Sequence, residues 1–174
     1  EIYQQYLKLL GDARDAESTR QRVMTLNNLA SLLSDNFVPS RPRDARQYST
    51  QAYDALSTLV GAGVPEADVT AMRPLIQDTH GWILVQCGEL DAGLQVLEEA
   101  QTSSPMMFEA NYHLGETWLK KNRPDTAMEY LTKARSALEE RTRAGQPVDQ
   151  TVRQNLDDAL TRATMLNKSV PKEK

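Results

Sequence analysis

The chain has 174 residues, 40% of them hydrophobic and 25% charged, with a net charge of −4. That composition describes a folded domain rather than a disordered chain, and its acidic balance disfavours a nucleic-acid partner, which needs a concentrated basic face. The longest apolar run, Trp82-Ile83-Leu84-Val85, falls far short of the roughly 18 residues a spanning helix requires, so no transmembrane segment is expected in this fragment. A single cysteine, Cys87, excludes an internal disulfide and leaves the compartment, cytoplasmic or periplasmic, open. Residue 1 is Glu and no signal-peptide pattern follows it, so the chain reads as a piece excised or processed from a longer protein.

Every apolar pattern has helical period, which predicts an all-α fold. Over 1–11, Ile2, Tyr3, Tyr6, Leu7 and Leu10 form one helical face, ended by Gly11. Over 17–60, Leu26, Leu29, Ala30 and Leu33 mark a first helix. Ala45, Ser49 and Ala52 mark a second that is expected to run to Val60. The turn between them, Val38-Pro39-Ser40-Arg41-Pro42, is lengthened. Gly61-Ala62-Gly63 breaks the second helix, and 61–73 reads as an inserted linker in which Pro65 starts a short extra turn before Pro74.

Residues 74–107 and 108–141 then read as two helical hairpins of equal length. Sliding the sequence by 34 residues sets Gly81 on Gly115, Leu84 on Trp118, Asp91 on Asp125, Leu97 on Leu131 and Ala100 on Ala134. It also sets Gly93 on Ala127, both small. Gly88 falls on Asn122, the other residue type that readily takes a left-handed turn conformation. In the second hairpin Leu114, Trp118 and Leu119 share a face, Asn122 ends the helix, and Pro124 opens the next where its missing amide is harmless. Met128, Leu131, Ala134 and Leu138 form the following buried stripe. Gly81 and Gly115 allow the two helices of each hairpin to approach closely. Pro147 opens a last helix, 147–167. Val152, Leu156, Ala159, Leu160 and Ala163 form its dry face, and Arg153, Asp157, Asp158 and Arg162 its wet one. The tail 168–174 reads as frayed.

Chemistry-bearing patterns are sparse. His80 and Cys87 share a helix face and, with Asp78 or His113, sketch a zinc site, but no Cys-x-x-Cys or His-x-x-x-His spacing supports it. A hydrogen-bonded core histidine and a small buried thiol are the readings preferred. There is no Gly-x-Ser-x-Gly turn and no phosphate loop. Glu98-Glu99 and Glu139-Glu140 are consecutive on helices and diverge into solvent. No catalytic, cofactor or metal residue is therefore expected, and no enzyme.

The two hairpins resemble the tetratricopeptide repeat family. Residues 108–141 carry Leu114-Gly115, Trp118, Ala127, Leu131 and Ala134 of its pattern, but Asn111 stands where its first aromatic is usual and Glu139 where its closing Pro is usual. Residues 74–107 carry Gly81, Leu84, Gly88, Leu97, Ala100 and Pro105, with His80 in place of Leu and Gly93 in place of Ala. The element Asp78-Thr79-His80-Gly81-Trp82-Ile83, with Asn28-Leu29-Ala30 upstream, is similar to that of bacterial envelope-associated repeat proteins. The resemblance implies a helical-hairpin solenoid, a right-handed superhelix in which 17–60 is a degenerate repeat, 1–11 the second helix of a preceding one and 147–167 a capping helix. It also implies a concave groove lined by the first helices. In this chain that face projects Asn27, Ser31, Asp78, Trp82, Gln86, Glu109, Tyr112, Glu116 and Lys120. The implied function is a protein-binding or peptide-binding scaffold segment. Its carboxylates favour a neutral or basic partner over an acidic chain end. A purely structural spacer is the alternative, and an enzyme or metal-binding module a third reading. Trp82 serves equally as a packing wedge or as a recognition residue.

Overall fold

The computed structural model describes Gln5, Leu7, Lys8, Gly11 and residues 15–36 and 38–169. Among them are seven α-helices and no strand. They are α1 (Ala16–Ser31), α2 (Pro42–Ala55), α3 (Glu66–Gln86), α4 (Leu90–Ser103), α5 (Phe108–Lys120), α6 (Pro124–Arg143) and α7 (Gln150–Ser169), with a π-helical turn, Leu32–Asn36, closing α1. The chain divides into two compact units, residues 1–103 and 104–174. In the first, α1 packs on α2, α2 on α3 and α3 on α4. In the second, α5 packs on α6, α6 on α7, and α5 also meets α7. No helix among the described residues is long and apolar enough to cross a membrane.

Local chemistry sets the helix ends. Asp15 caps α1, its carboxylate accepting from the Ser18 amide at 2.9 Å. Pro42 and Pro124 occupy the first turn of α2 and α6, where no amide is needed. The core of the first unit gathers Val23 and Leu26 of α1 with Ala52, Leu56 and Leu59, and with Val69, Met72 and Ile76 of α3. The second gathers Phe108, Leu131, Ala134 and Leu138 around Leu156, Ala159 and Ala163 of α7.

The hairpins α3–α4 and α5–α6 share their turn hydrogen bonds and their glycine contacts at the 34-residue offset. The Gly88 amide donates to Val85 (3.1 Å) and that of Glu89 to Leu84 (2.9 Å). The Asn122 amide donates to Leu119 (3.0 Å) and that of Arg123 to Trp118 (2.9 Å). This pair of hydrogen bonds at a helix C-terminus needs a left-handed residue, and Gly88 (φ 90°) and Asn122 (φ 57°) supply it. A Cβ on Gly81 would lie 2.9 Å from Leu97 Cγ and 3.0 Å from the Gly93 carbonyl. One on Gly115 would lie 2.5 Å from Leu131 Cγ and 3.4 Å from the Ala127 carbonyl. Each first-helix glycine thus meets the corresponding pair of residues on its second helix.

Several boundaries differ from the sequence reading. α2 stops at Ala55 rather than Val60. Residues 56–63 form hydrogen-bonded turns whose Leu56 and Leu59, with the following Val64, plug the core of the first unit. There is no separate linker before Pro74, because α3 begins at Glu66 and runs through it. Pro74 has no amide to give the carbonyl four residues back, a local loss that buried Val69, Met72 and Ile76 on the same helix offset. α7 starts at Gln150 rather than Pro147 and continues through Lys168 to Ser169. Most of the front helix, 1–11, and the tail from Val170 lie outside the described residues. Gly11 has the left-handed φ (42°) of a helix end.

Candidate functional site

The first-helix face of the first unit is assembled around Asp35, which sequence reasoning did not single out. The π-helical turn directs its carboxylate toward α3, where Oδ1 accepts from the Trp82 indole Nε1 (3.1 Å) and from Gln86 Nε2 (3.0 Å). Trp82, Gln86 and Ser31 are half-buried. Asn27 and Asp78 are buried instead of projecting into solvent. Asn27 Oδ1 and Gln86 Oε1 are buried acceptors without a hydrogen-bond partner. The sequence signal for Asp35 is weak because a lone carboxylate in a loop has no fixed partner until the chain is folded.

In the second unit Glu109, Tyr112 and Glu116 share one face of α5, as their spacing dictates. The sequence left these carboxylates opposed only by Lys120, which is exposed. The structure supplies two arginines from distant helices. Arg141 of α6 donates twice to Glu109, at 2.9 Å each, and Arg162 of α7 pairs with the buried Glu116. Burial raises the Glu109 carboxyl, but the Arg141 hydrogen bonds, its own backbone amide and nearby positive charge outweigh it, and the net shift is downward. Tyr112 is stacked on Phe108 (5.7 Å between centroids). Its phenol is pushed up to about 12, first by burial and then by the Glu116 charge. This face is therefore internally neutralised, not an open acidic surface.

His80 is a core residue. It is 7% exposed and stacks on Tyr53 at 4.8 Å. Ser49 Oγ lies within hydrogen-bond distance of both the Arg46 carbonyl (3.0 Å) and His80 Nδ1 (3.0 Å), so the buried imidazole has a polar partner. Burial lowers the His80 pKa, with the Arg46 charge adding to it. Cys87 is half-buried, and burial raises its thiol. Among the described residues no three His, Cys, Asp or Glu side chains converge as metal ligands.

Beside this core lies a cleft of about 420 Å³, lined by Tyr53, Asp54, Leu56, Ser57, Arg73, Gln77 and Glu99. Glu99 Oε2 accepts from the Tyr53 hydroxyl (3.2 Å) and Gln77 Nε2 (3.0 Å). Gln77 is 5% exposed, and its Oε1 has no partner. An unpaired buried carbonyl costs about 1–3 kcal/mol. Turning the amide over would set that oxygen against the carboxylate, so the orphan is the cost of orienting Glu99. The cleft falls on α2, α3 and α4. Sequence reasoning missed it because Arg73 falls in the stretch read as a linker and Glu99 reads as a solvated carboxylate, so neither is placed against the other until the helices pack.

In comparisons with known proteins, no protein-family model matches the chain, and no curated protein matches it.

Proposed function

We propose that the chain is a tetratricopeptide-type repeat segment that binds another protein or peptide on the faces of its first helices, and that it is not an enzyme. The observation that carries this reading is the 34-residue recurrence. The same turn hydrogen bonds, left-handed residue and glycine contact recur in α3–α4 and α5–α6. Stacked units of this kind bury a core and leave one face of each first helix for recognition. On the first unit that face carries Ser31 together with Trp82 and Gln86, the last two held by Asp35. A half-buried tryptophan with polar neighbours is a frequent anchor for a partner side chain. The carboxylate of Asp35 on this face favours a ligand that is neutral or basic and offers donors. A structural role is favoured for the corresponding face of the second unit, because Arg141 and Arg162 already occupy Glu109 and Glu116. There the exposed Lys120 is open to a partner, while Tyr112 is stacked on Phe108.

A peptide-array screen with the 174-residue chain tests the proposal. Retention of neutral or basic peptides with apolar side chains, lost in Trp82→Ala while helix content is kept, is expected. Selective retention of acidic C-terminal peptides, or retention indifferent to Trp82→Ala, overturns it.

A further inference from the structure

We propose that the cleft between α2, α3 and α4 is a binding site for a small zwitterion of the α-amino-acid class, independent of the protein-binding face. The argument rests on three charged groups lining the same space from three helices: Asp54, Arg73 and Glu99. Among the described residues Arg73 is half-buried and makes no ion pair or hydrogen bond, although two carboxylates share its cleft. A half-buried guanidinium beside carboxylates ordinarily pairs with one of them. With neither carboxylate paired to it, the guanidinium keeps its donors for a ligand carboxylate, which arginine favours in bidentate geometry. On the other side, Glu99 is oriented in advance. Tyr53 and Gln77 both hold Oε2, and Oε1 keeps its acceptor capacity unused. That oxygen, with the unpaired and exposed Asp54, suits an ammonium group. The volume, about 420 Å³, lies in the range of small-molecule sites and accommodates one amino acid. The support beneath is stiff, because Tyr53 stacks on the buried His80 and Gln77 is fixed by Glu99, the arrangement a preorganised site needs.

The test is an NMR titration of the full chain with free amino acids at millimolar concentration, run beside the N-acetylated and carboxamide forms of each. The expected result is that at least one free amino acid shifts the backbone amides of Ser57, Arg73 and Gln77. Both blocked forms should lose at least tenfold in affinity, and Arg73→Gln should abolish the shifts without changing the helical spectrum. If Arg73→Gln fails to fold, the comparison of free and blocked ligands on the unaltered chain still decides. No shift with any free amino acid overturns the proposal, as does equal binding of the carboxamide form, which would make the site one for cations alone.

Discussion

Gly93→Ala is the sharpest perturbation of the hairpin architecture, because alanine is what the matching position of the next hairpin carries. A Cβ on Gly93 would lie 2.6 Å from Val85 Cγ2, 2.7 Å from the Gly81 carbonyl oxygen and 3.0 Å from the Val85 amide. Two of these neighbours are backbone and the third is a β-branched side chain with few rotamers, so none can retreat cheaply. Overpacking of this kind costs up to about 3 kcal/mol, whereas replacing a helical glycine by alanine returns about 1 kcal/mol, leaving a net loss of about 2 kcal/mol. For a chain of this size that lowers Tm by roughly 4–8 °C. At the matching position 127 alanine is accommodated fully buried, with Leu119 standing at the place in sequence that Val85 holds in the first hairpin. Thermal and urea unfolding followed by circular dichroism measure the loss. A Gly93→Ala variant as stable as the parent, or more so, would show that α3 and α4 do not approach as described.

Gly115→Leu should also destabilise, by about 1–3 kcal/mol or more, since an added Cβ alone would lie 2.5 Å from Leu131 Cγ; an unchanged Tm refutes the α5–α6 pairing. His80 has a folded pKa below its ordinary 6.5, so the folded state binds fewer protons than the unfolded one as pH falls below that value. Its stability contribution is then full above about pH 6.5 and is lost as pH falls toward the folded pKa. Tm measured from pH 7 to about 5.5 should therefore decline, and His80→Gln should flatten that decline. Arg162→Ala removes the partner of the buried Glu116. Because Arg162 is itself half-exposed, the cost is held to about 1 kcal/mol, read from urea midpoints, and Glu116→Gln in the same background should recover part of it.

The parts of the fold that were legible in the sequence are those governed by local stereochemistry. Gly88 and Asn122 announce a left-handed turn whatever surrounds them, and Gly81 and Gly115 mark close approach because no other residue offers so little bulk. The parts that were not legible depend on partners far along the chain. Pro74 reads as a helix start, yet apolar residues on both sides of it bury on the same core and carry the helix through. Glu109 and Glu116 read as an acidic face because nothing in their neighbourhood foretells Arg141 and Arg162, which lie 32 and 46 residues away. Asp35 and Glu99 gain their roles in the same way, from donors brought in by other helices. Burial of Asn27 and Asp78 follows from helix packing that spacing alone does not specify.

The proposed recognition face is tested most directly by the two tryptophan indole resonances. Trp82 donates to Asp35 on the first-helix face, whereas the Trp118 Nε1 is buried without a hydrogen-bond partner and serves as an internal reference. Titration with an array-selected neutral or basic peptide should shift the Trp82 indole and the Gln86 side-chain amide together while leaving the Trp118 indole in place. A peptide that binds with the Trp82 and Gln86 signals unmoved would contradict the assignment of that face.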